Sequence, residues 1–144
     1  MIRGEIWTVA GGVYASKPTP ALIVQDDAYA ATDSVTVLPL TSRLVDAPLL
    51  RIRISAGGLS GLDRDGDVMV DKATTVRRSN VVTRVGRMTA EQLADVKRSV
   101  MAFLGLARRG RRRGVGGARS VRWETTVRSG GVVEAGIRAR SVPA

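Results

Sequence analysis

The change of pattern that decides the fold lies in the segment Val81-Val82-Thr83-Arg84-Val85-Gly86-Arg87-Met88-Thr89-Ala90-Glu91-Gln92-Leu93. Its first half is typical of a short β-strand. Thr89 and Gln92 then have the spacing of a capping box, which marks the N-terminus of a helix. Apolar residues follow at helical spacing on one face, namely Leu93, Val96, Val100, Phe103 and Leu104. We therefore expect an amphipathic helix over residues 90–104 that lies against a sheet and is terminated by Gly105.

Short strand patterns occupy most of the chain before this helix. They predict strands at residues 5–9, 21–24, 34–40, 50–54, 68–70 and 81–87. The continuous apolar run at 21–24 indicates a central strand that is covered on both faces. In the run 50–54, apolar residues alternate with Arg51 and Arg53, so we expect these two arginines to face solvent.

Positive charge is concentrated at the C-terminal end of the chain. The formal net charge is +10, yet residues 1–106 carry 13 Lys and Arg against 11 Asp and Glu, whereas residues 107–144 carry 10 Arg against 2 Glu. We therefore expect one folded domain over 1–106 and an Arg/Gly-rich tail over 107–144. The tail is predicted to be disordered or an extension never selected for folding. An arm that binds nucleic acid through its charge is the alternative.

The composition excludes several kinds of chemistry. The chain contains neither cysteine nor histidine, which excludes disulfides, a thiol nucleophile, Cys- or His-ligated metals and acid–base catalysis by imidazole. No apolar run approaches the ~18 residues that a membrane helix needs, and the first residues lack the apolar stretch of a signal peptide. We expect a soluble, cytoplasmic protein.

Seven short segments occur in an order that is typical of one protein family. They are 3–7 (RGEIW), 20–25 (PALIVQ), 37–42 (VLPLTS), 68–72 (VMVDK), 75–76 (TV), 85–88 (VGRM) and 103–106 (FLGL). Over residues 2–106 the chain resembles the PemK/MazF-like toxins of bacterial toxin–antitoxin systems. The resemblance implies a mainly β fold with a C-terminal α-helix, an SH3-like β-barrel of the PemK/MazF/CcdB type that forms a homodimer.

The resemblance also implies an activity. Such toxins of type II systems are sequence-specific endoribonucleases that cut single-stranded RNA, including mRNA, by attack of a ribose 2′-hydroxyl on the adjacent phosphate. They need no metal or other cofactor, and a cognate antitoxin neutralises them. This chemistry is compatible with a histidine-free chain, because hydroxyls, guanidinium groups, carboxylates and backbone amides can orient a substrate and stabilise its transition state.

The resemblance assigns candidate catalytic residues to two strand ends. The family's catalytic threonine corresponds to Thr41, and Ser42 occupies the next polar position. The family's catalytic arginine precedes the proline of the second strand, and Thr19 stands there in this chain. A threonine cannot neutralise a phosphorane by charge, so Lys17 and Arg43 are candidate substitutes. By residue type alone, Thr41 and Ser42 are also typical of a strand-end pair that caps backbone amides.

Further RNA-binding candidates follow the fifth predicted strand. The family's carboxylate corresponds to Asp71, with Lys72 where glutamine is usual. Asp71 has the alternative of a turn residue or an ion pair with Lys72 or Arg87. Arg77 is a candidate phosphate contact, and an exposed turn is the alternative.

Two other functions remain open at this point. The protein could retain the barrel, the dimer and the antitoxin-binding groove as a binding module, having lost catalysis with the arginine. A gyrase poison is the second rival, because a related toxin with the same barrel acts in that way. That activity depends on the end of the C-terminal helix, and the residues there, Gly105-Leu106-Ala107 followed by arginines, give it no support.

Overall fold

Antiparallel strands and a C-terminal helix form the part of the chain that the computed structural model describes, residues 1–11 and 17–107. The expectations for the 107–144 tail concern residues that lie, apart from Ala107, outside this part. The strands are β1 (Glu5–Val9), β2 (Thr19–Ile23), β3 (Ser34–Thr41), β4 (Arg51–Ile54), β5 (Gly66–Met69), β6 (Thr74–Arg77) and β7 (Val81–Arg87), and the helix is α1 (Ala90–Phe103). The mainly β fold with a C-terminal helix is confirmed.

The strand β3 organises the sheet. The strands follow the order β4-β5-β3-β2-β1-β7, and β6 pairs with β3 beside this path. One edge of β3 pairs with β2, and its other edge pairs first with β6 and then with β5. Because β4 and β7 end the path, strand pairing does not close the described sheet into a complete barrel.

Apolar side chains pack on both faces of the two central strands. Leu38 and Leu40 of β3 belong to one buried cluster, whereas Val35 and Val37 belong to a second. This division follows from the two-residue period of a strand, which sends neighbouring side chains to opposite faces. In β2, Ala21, Leu22 and Ile23 are all at most 3% exposed. The central strand predicted at 21–24 is therefore confirmed, although its observed bounds begin two residues earlier.

The helix α1 begins at the predicted capping box. The Thr89 hydroxyl accepts a hydrogen bond from the Gln92 amide at 3.2 Å, and the Gln92 side chain accepts one from the Thr89 amide at 3.0 Å. Val96 is buried, and Val100 packs against the same core. Phe103 is 47% exposed, so the predicted apolar face is not covered in the last turn of the helix.

Gly105 follows the helix with a φ of +71°, in the left-handed region that favours glycine at a helix C-terminus.

Within the described residues, none of the helices has the length and apolar character needed to span a bilayer.

The expectation that Arg51 and Arg53 face solvent is confirmed for Arg53 and wrong for Arg51. The Arg53 side chain is 50% exposed, although its Nε lies 2.5 Å from Asp67 Oδ1, whereas the Arg51 side chain is 16% exposed and pairs with Asp71. The acidic partners come from a neighbouring strand and the turn after it, so the alternating pattern of β4 gave no sign of them. The strand β6 was not predicted, because its four residues, TTVR, are mostly polar and too few to show a period.

Candidate active site

A cavity of about 330 Å³ opens where the start of β2, the end of β3 and the loop before β5 meet. It is lined by Thr19 and Pro20, by residues 40–42, and by residues 62–66. Ala21 of β2 pairs with Pro39 of β3, and the continuation of this antiparallel register places Thr19 level with Thr41. The three predicted catalytic residues, Thr19, Thr41 and Ser42, therefore line one cavity.

The Thr41 side chain is held in place by the chain that follows it. Its hydroxyl oxygen accepts a hydrogen bond from the Arg43 amide at 3.1 Å. This is the amide-capping role that residue type alone suggested. The bond uses an acceptor position on the oxygen and leaves the hydroxyl proton free to be donated, so capping does not exclude a role in substrate binding. Thr19 differs, because its hydroxyl donates to the Lys17 carbonyl at 3.1 Å.

A buried carboxylate lies opposite Thr41 in the sheet. Asp67 of β5 pairs with Thr41 and is 1% exposed. Its Oδ2 accepts a hydrogen bond from the Val45 amide at 3.0 Å, and its Oδ1 pairs with Arg53. The hydrogen bond from Arg53 lowers the pKa of Asp67, against the opposing effect of burial, and the Val45 amide lowers that pKa further. Asp67 is therefore an anionic anchor for the segment that follows Thr41.

The loop before β5 contributes charged residues that sequence reasoning did not select. Asp63, Arg64 and Asp65 all line the cavity. In the sequence they belong to an Asp/Gly-rich stretch with the composition of an ordinary loop, and no local pattern indicates that it folds back beside Thr41. Only the pairing of β5 with β3 brings it there.

Two of the predicted RNA-binding cations lie close to the cavity in sequence but outside its lining. Lys17 precedes Thr19 and Arg43 follows Ser42, and both are exposed. Neither belongs to the described residues that line the cavity. They lie at its margin along the chain, where long side chains can contact a bound polymer.

The remaining candidates lie elsewhere. Asp71 and Lys72 form a 3-10 turn with Val70 after β5. Asp71 pairs with Arg51, a partner that was not considered from sequence. The hydrogen bond from Arg51 lowers the pKa of Asp71 although burial opposes it, and the charge of Lys72 lowers that pKa further.

Arg77 ends β6 and is exposed in a strand, so the exposed-turn alternative is wrong for it. It pairs with Ser34, at the end of β3 opposite to Thr41. At strand geometry the separation along β3 is roughly 23 Å. The structure therefore does not bring Arg77 into the cavity, and its contact with RNA stays a prediction.

Comparison with known proteins decides the family. A family model described as PemK-like, MazF-like toxin of type II toxin-antitoxin system matches residues 2–104. The chain belongs to this family. A relative named probable endoribonuclease MazF, from Mycolicibacterium smegmatis, is 48% identical over 108 residues, which cover 74% of this chain and 99% of the relative.

Solved structures of MazF proteins share the fold. Mycobacterium tuberculosis toxin MazF-mt6 matches with a TM-score of 0.62 at 19% identity, covering 72% of this chain and 98% of that one. MazF in a MazE–MazF crystal structure from Deinococcus radiodurans matches with a TM-score of 0.61 at 23% identity, covering 74% and 98%. An endoribonuclease from a mycobacterial species, solved in complex with its cognate antitoxin, matches with a TM-score of 0.61 at 21% identity, covering 74% and 97%.

In this PemK/MazF-like toxin, the cavity combines three kinds of polar group. It offers the hydroxyls of Thr19, Thr41 and Ser42, two carboxylates and one guanidinium. Hydroxyls and the guanidinium can donate hydrogen bonds to phosphate oxygens, and a carboxylate can accept a proton from an attacking hydroxyl. Such a set suits the orientation and cleavage of a phosphodiester that carries its own nucleophile.

Proposed function

We propose that this protein is the toxin of a type II toxin–antitoxin system and cleaves single-stranded RNA without a metal ion. In the reaction, the ribose 2′-oxygen forms a bond to the adjacent phosphorus, and the bond from phosphorus to the 5′-oxygen breaks. The 2′-hydroxyl proton goes to a base, and the departing 5′-oxygen takes up a proton. The products are a 2′,3′-cyclic phosphate and a free 5′-hydroxyl.

The observation that carries the proposal is the meeting of Thr19, Thr41 and Ser42 in one cavity. The three residues come from two strand ends, Thr19 at the start of β2 and Thr41 with Ser42 at the end of β3. They are the positions that the family resemblance selects. The relative at 48% identity, which is named a probable endoribonuclease, supports the same reaction. Thr41 is proposed to orient the phosphate through its hydroxyl, with Ser42 as a second donor.

The proposed partners follow from the same family. We infer a cognate antitoxin, because two of the similar structures are toxins solved with an antitoxin. We also infer a homodimer and a cytoplasmic location, where mRNA is available as substrate. Lys17, Arg43, Lys72 and Arg77 are proposed RNA contacts outside the cavity, and Asp71 is proposed to act as a carboxylate beside the RNA.

The test is incubation of the purified full chain with a long unstructured RNA in the presence of EDTA, followed by mapping of the new ends. Cleavage at recurring short sequences with 5′-hydroxyl ends is the expected result. Loss of cleavage on chelation, with recovery in magnesium, would contradict the proposed chemistry. Thr41→Ala is the control for a contaminating nuclease, because cleavage by this site requires that hydroxyl.

One observation favours a second function. Threonine at position 19 removes the charge that the family has there, and the loss of one such donor lowers rates by ~10²–10³. A chain that binds its antitoxin or RNA but does not cut any RNA in the same assay would be a binding module.

A further inference from the structure

Cleavage of a phosphodiester needs positive charge close to the phosphate. The pentavalent transition state carries more negative charge than the substrate, and hydroxyl groups cannot neutralise it. Of the described residues that line the cavity, Arg64 is the single cation. The cationic candidates chosen from sequence, Lys17 and Arg43, are outside that lining.

The Arg64 guanidinium is available for a ligand. Within the described residues the structure gives it no hydrogen-bond or ion-pair partner, and the residue is exposed. Several other arginines of the domain are engaged: Arg51 pairs with Asp71, for example, and Arg84 Nε lies 2.8 Å from Glu5 Oε1. All five N–H donors of Arg64 can therefore bind phosphate oxygens, in the fork geometry that suits them.

The loop that carries Arg64 is fixed on both sides of it. On the N-terminal side, the buried Ser60 hydroxyl lies 2.8 Å from the carbonyl oxygens of Ser55 and Gly57, and Leu62 belongs to the core. On the C-terminal side, Asp65 Oδ1 accepts a hydrogen bond from the Ala56 amide at 2.8 Å. Because these contacts fix the backbone on both sides of Arg64, the first atoms of its side chain are ordered before substrate binds.

The same loop passes directly beside Thr41. A Cβ atom added to Gly66 would lie 3.3 Å from the Thr41 carbonyl oxygen. The next residue, Asp67, is the strand partner of Thr41. Arg64 thus lies two residues before Gly66, which approaches the end of β3. That strand end carries the candidate catalytic hydroxyl of Thr41.

We propose that Arg64 binds the scissile phosphate and is the cationic catalytic residue of this site, in place of an arginine at position 19. The inference rests on the proposed endoribonuclease function. Arg64 forms and breaks no covalent bond. Its N–H groups donate to the non-bridging phosphate oxygens while the 2′-oxygen attacks and the 5′-oxygen leaves, and its charge offsets the charge that develops between them.

Two carboxylates limit how this charge can act. Asp63 and Asp65 flank Arg64 in the cavity lining, so the formal charge of the three residues together is −1. Long-range attraction of RNA to this loop is therefore weak. Arg64 must act through direct hydrogen bonds to a phosphate that other residues have already brought into the cavity.

The test compares single-turnover cleavage of one RNA, in EDTA, by the full chain and by four variants: Arg64→Ala, Arg64→Lys, Arg87→Ala and Thr41→Ala. Arg64→Ala should lower the rate constant by ~10²–10³, the effect of one electrostatic donor. Arg64→Lys should recover only part of the loss, because a lysine is not a bidentate donor. The matched control is Arg87→Ala, which removes a positive charge that is also exposed but lies outside the cavity lining, and which should change the rate by less than about threefold.

Melting of each variant shows whether the fold is intact, and Arg64→Lys, which keeps the charge, covers the case in which the alanine variant fails to fold. The inference is overturned if Arg64→Ala cuts within about threefold of the parent chain while Thr41→Ala does not cut, and the proposed function then stands. A parent chain that cuts no RNA refutes the proposed function and, with it, this role of Arg64.

Discussion

The Asp67 carboxylate and the Val45 amide are joined by a hydrogen bond of 3.0 Å that ties the chain after Thr41 and Ser42 to the neighbouring strand. The carboxylate also pairs with Arg53 and is 1% exposed. One buried anion therefore satisfies a loop amide and a strand arginine at the margin of the cavity. Its removal should affect both stability and the position of Thr41.

Asp67→Asn is expected to lower the free energy of unfolding by about 2 kcal/mol. The amide loses the charge-assisted bond to Arg53, but half of the arginine side chain is in solvent, which reduces the loss relative to a fully buried pair. Urea unfolding measures this change. Asp95→Asn removes a carboxylate from an exposed pair on α1 and should cost at most about 0.5 kcal/mol. Equal midpoints for the two variants would contradict the anchoring role of Asp67.

The contribution of the Asp67 carboxylate to the stability of the fold should depend on pH. The pKa values of Asp67 and Asp71 are lowered in the folded state, chiefly by their arginine partners. The unfolded chain therefore binds protons more readily, and the stabilisation is complete above about pH 5, where unfolded aspartates are ionised. It is lost as the pH falls through the unfolded pKa towards the folded one. Melting temperatures measured from pH 7 down to pH 3 should fall less steeply for Asp67→Asn than for the parent chain.

The cavity offers a direct test of charge at two positions. Thr19 and Arg64 line the same cavity, so a guanidinium at position 19 should replace the missing one when Arg64 is absent. In the Arg64→Ala background, Thr19→Arg is expected to raise the single-turnover rate by ~10²-fold, and in the parent chain by less. Additional Thr41→Ala should abolish the gain, whereas Thr41→Ser should keep most of it. A gain in the parent as large as in the variant would show that Arg64 supplies no charge to the phosphate.

Gly61→Ala should strongly destabilise the fold. Its φ is +64°, and an added Cβ would lie 2.0 Å from the Val85 carbonyl oxygen, which belongs to a strand and cannot move aside. We expect a loss of about 3 kcal/mol or more. Gly57→Ala is the matched control, because its φ is +74° and, chain neighbours aside, no atom of the described residues lies within 4 Å of the added Cβ. That variant should lose only about 1 kcal/mol through backbone strain. The difference between the melting temperatures of the two variants measures the steric effect of the close approach of the loop to β7, because both variants share the backbone strain.

Asp63→Asn is expected to strengthen RNA binding. Asp63 lines the cavity and is exposed, so its negative charge repels a phosphate bound beside Arg64. Removal of one like charge near the surface should increase affinity by about two- to fivefold at low salt. A fluorescent RNA with 2′-O-methyl groups, which cannot be cut, measures binding alone. A variant that binds equally well but loses cleavage would instead identify Asp63 as the proton acceptor.

Removal of the C-terminal arginines should change binding more than stability. A chain that ends at Ala107 loses 10 arginines and 2 glutamates, so the logarithm of its RNA affinity should fall less steeply with the logarithm of salt concentration. Its melting temperature should be nearly unchanged, because the buried residues of the two core clusters, which lie between Ile6 and Val96 in the described part of the chain, already pack against one another. A melting point lower by about 10 °C or more would show that residues beyond 107 contribute to the folded core.

Local sequence patterns predicted the secondary-structure elements. The features that they missed depend on contacts between residues far apart in the sequence. The capping box of Thr89 and Gln92 and the alternation within β4 involve residues a few positions apart, so the sequence alone revealed them. The ion pair of Arg51 with Asp71 joins residues 20 positions apart. Arg64 likewise has no neighbour in sequence that marks it as part of a site. The family resemblance selected Thr19, Thr41 and Ser42, and it offered no counterpart for Arg64.

The strand β3 has hydrogen-bonded neighbours along both edges and a buried cluster on each face. Its backbone amides become exposed to solvent only when both clusters are disrupted, so their hydrogen exchange should require global unfolding. Thr41 ends this strand and does not belong to a separately mobile lid. Heat inactivation should therefore coincide with the cooperative melting of the whole domain and show no earlier, local phase.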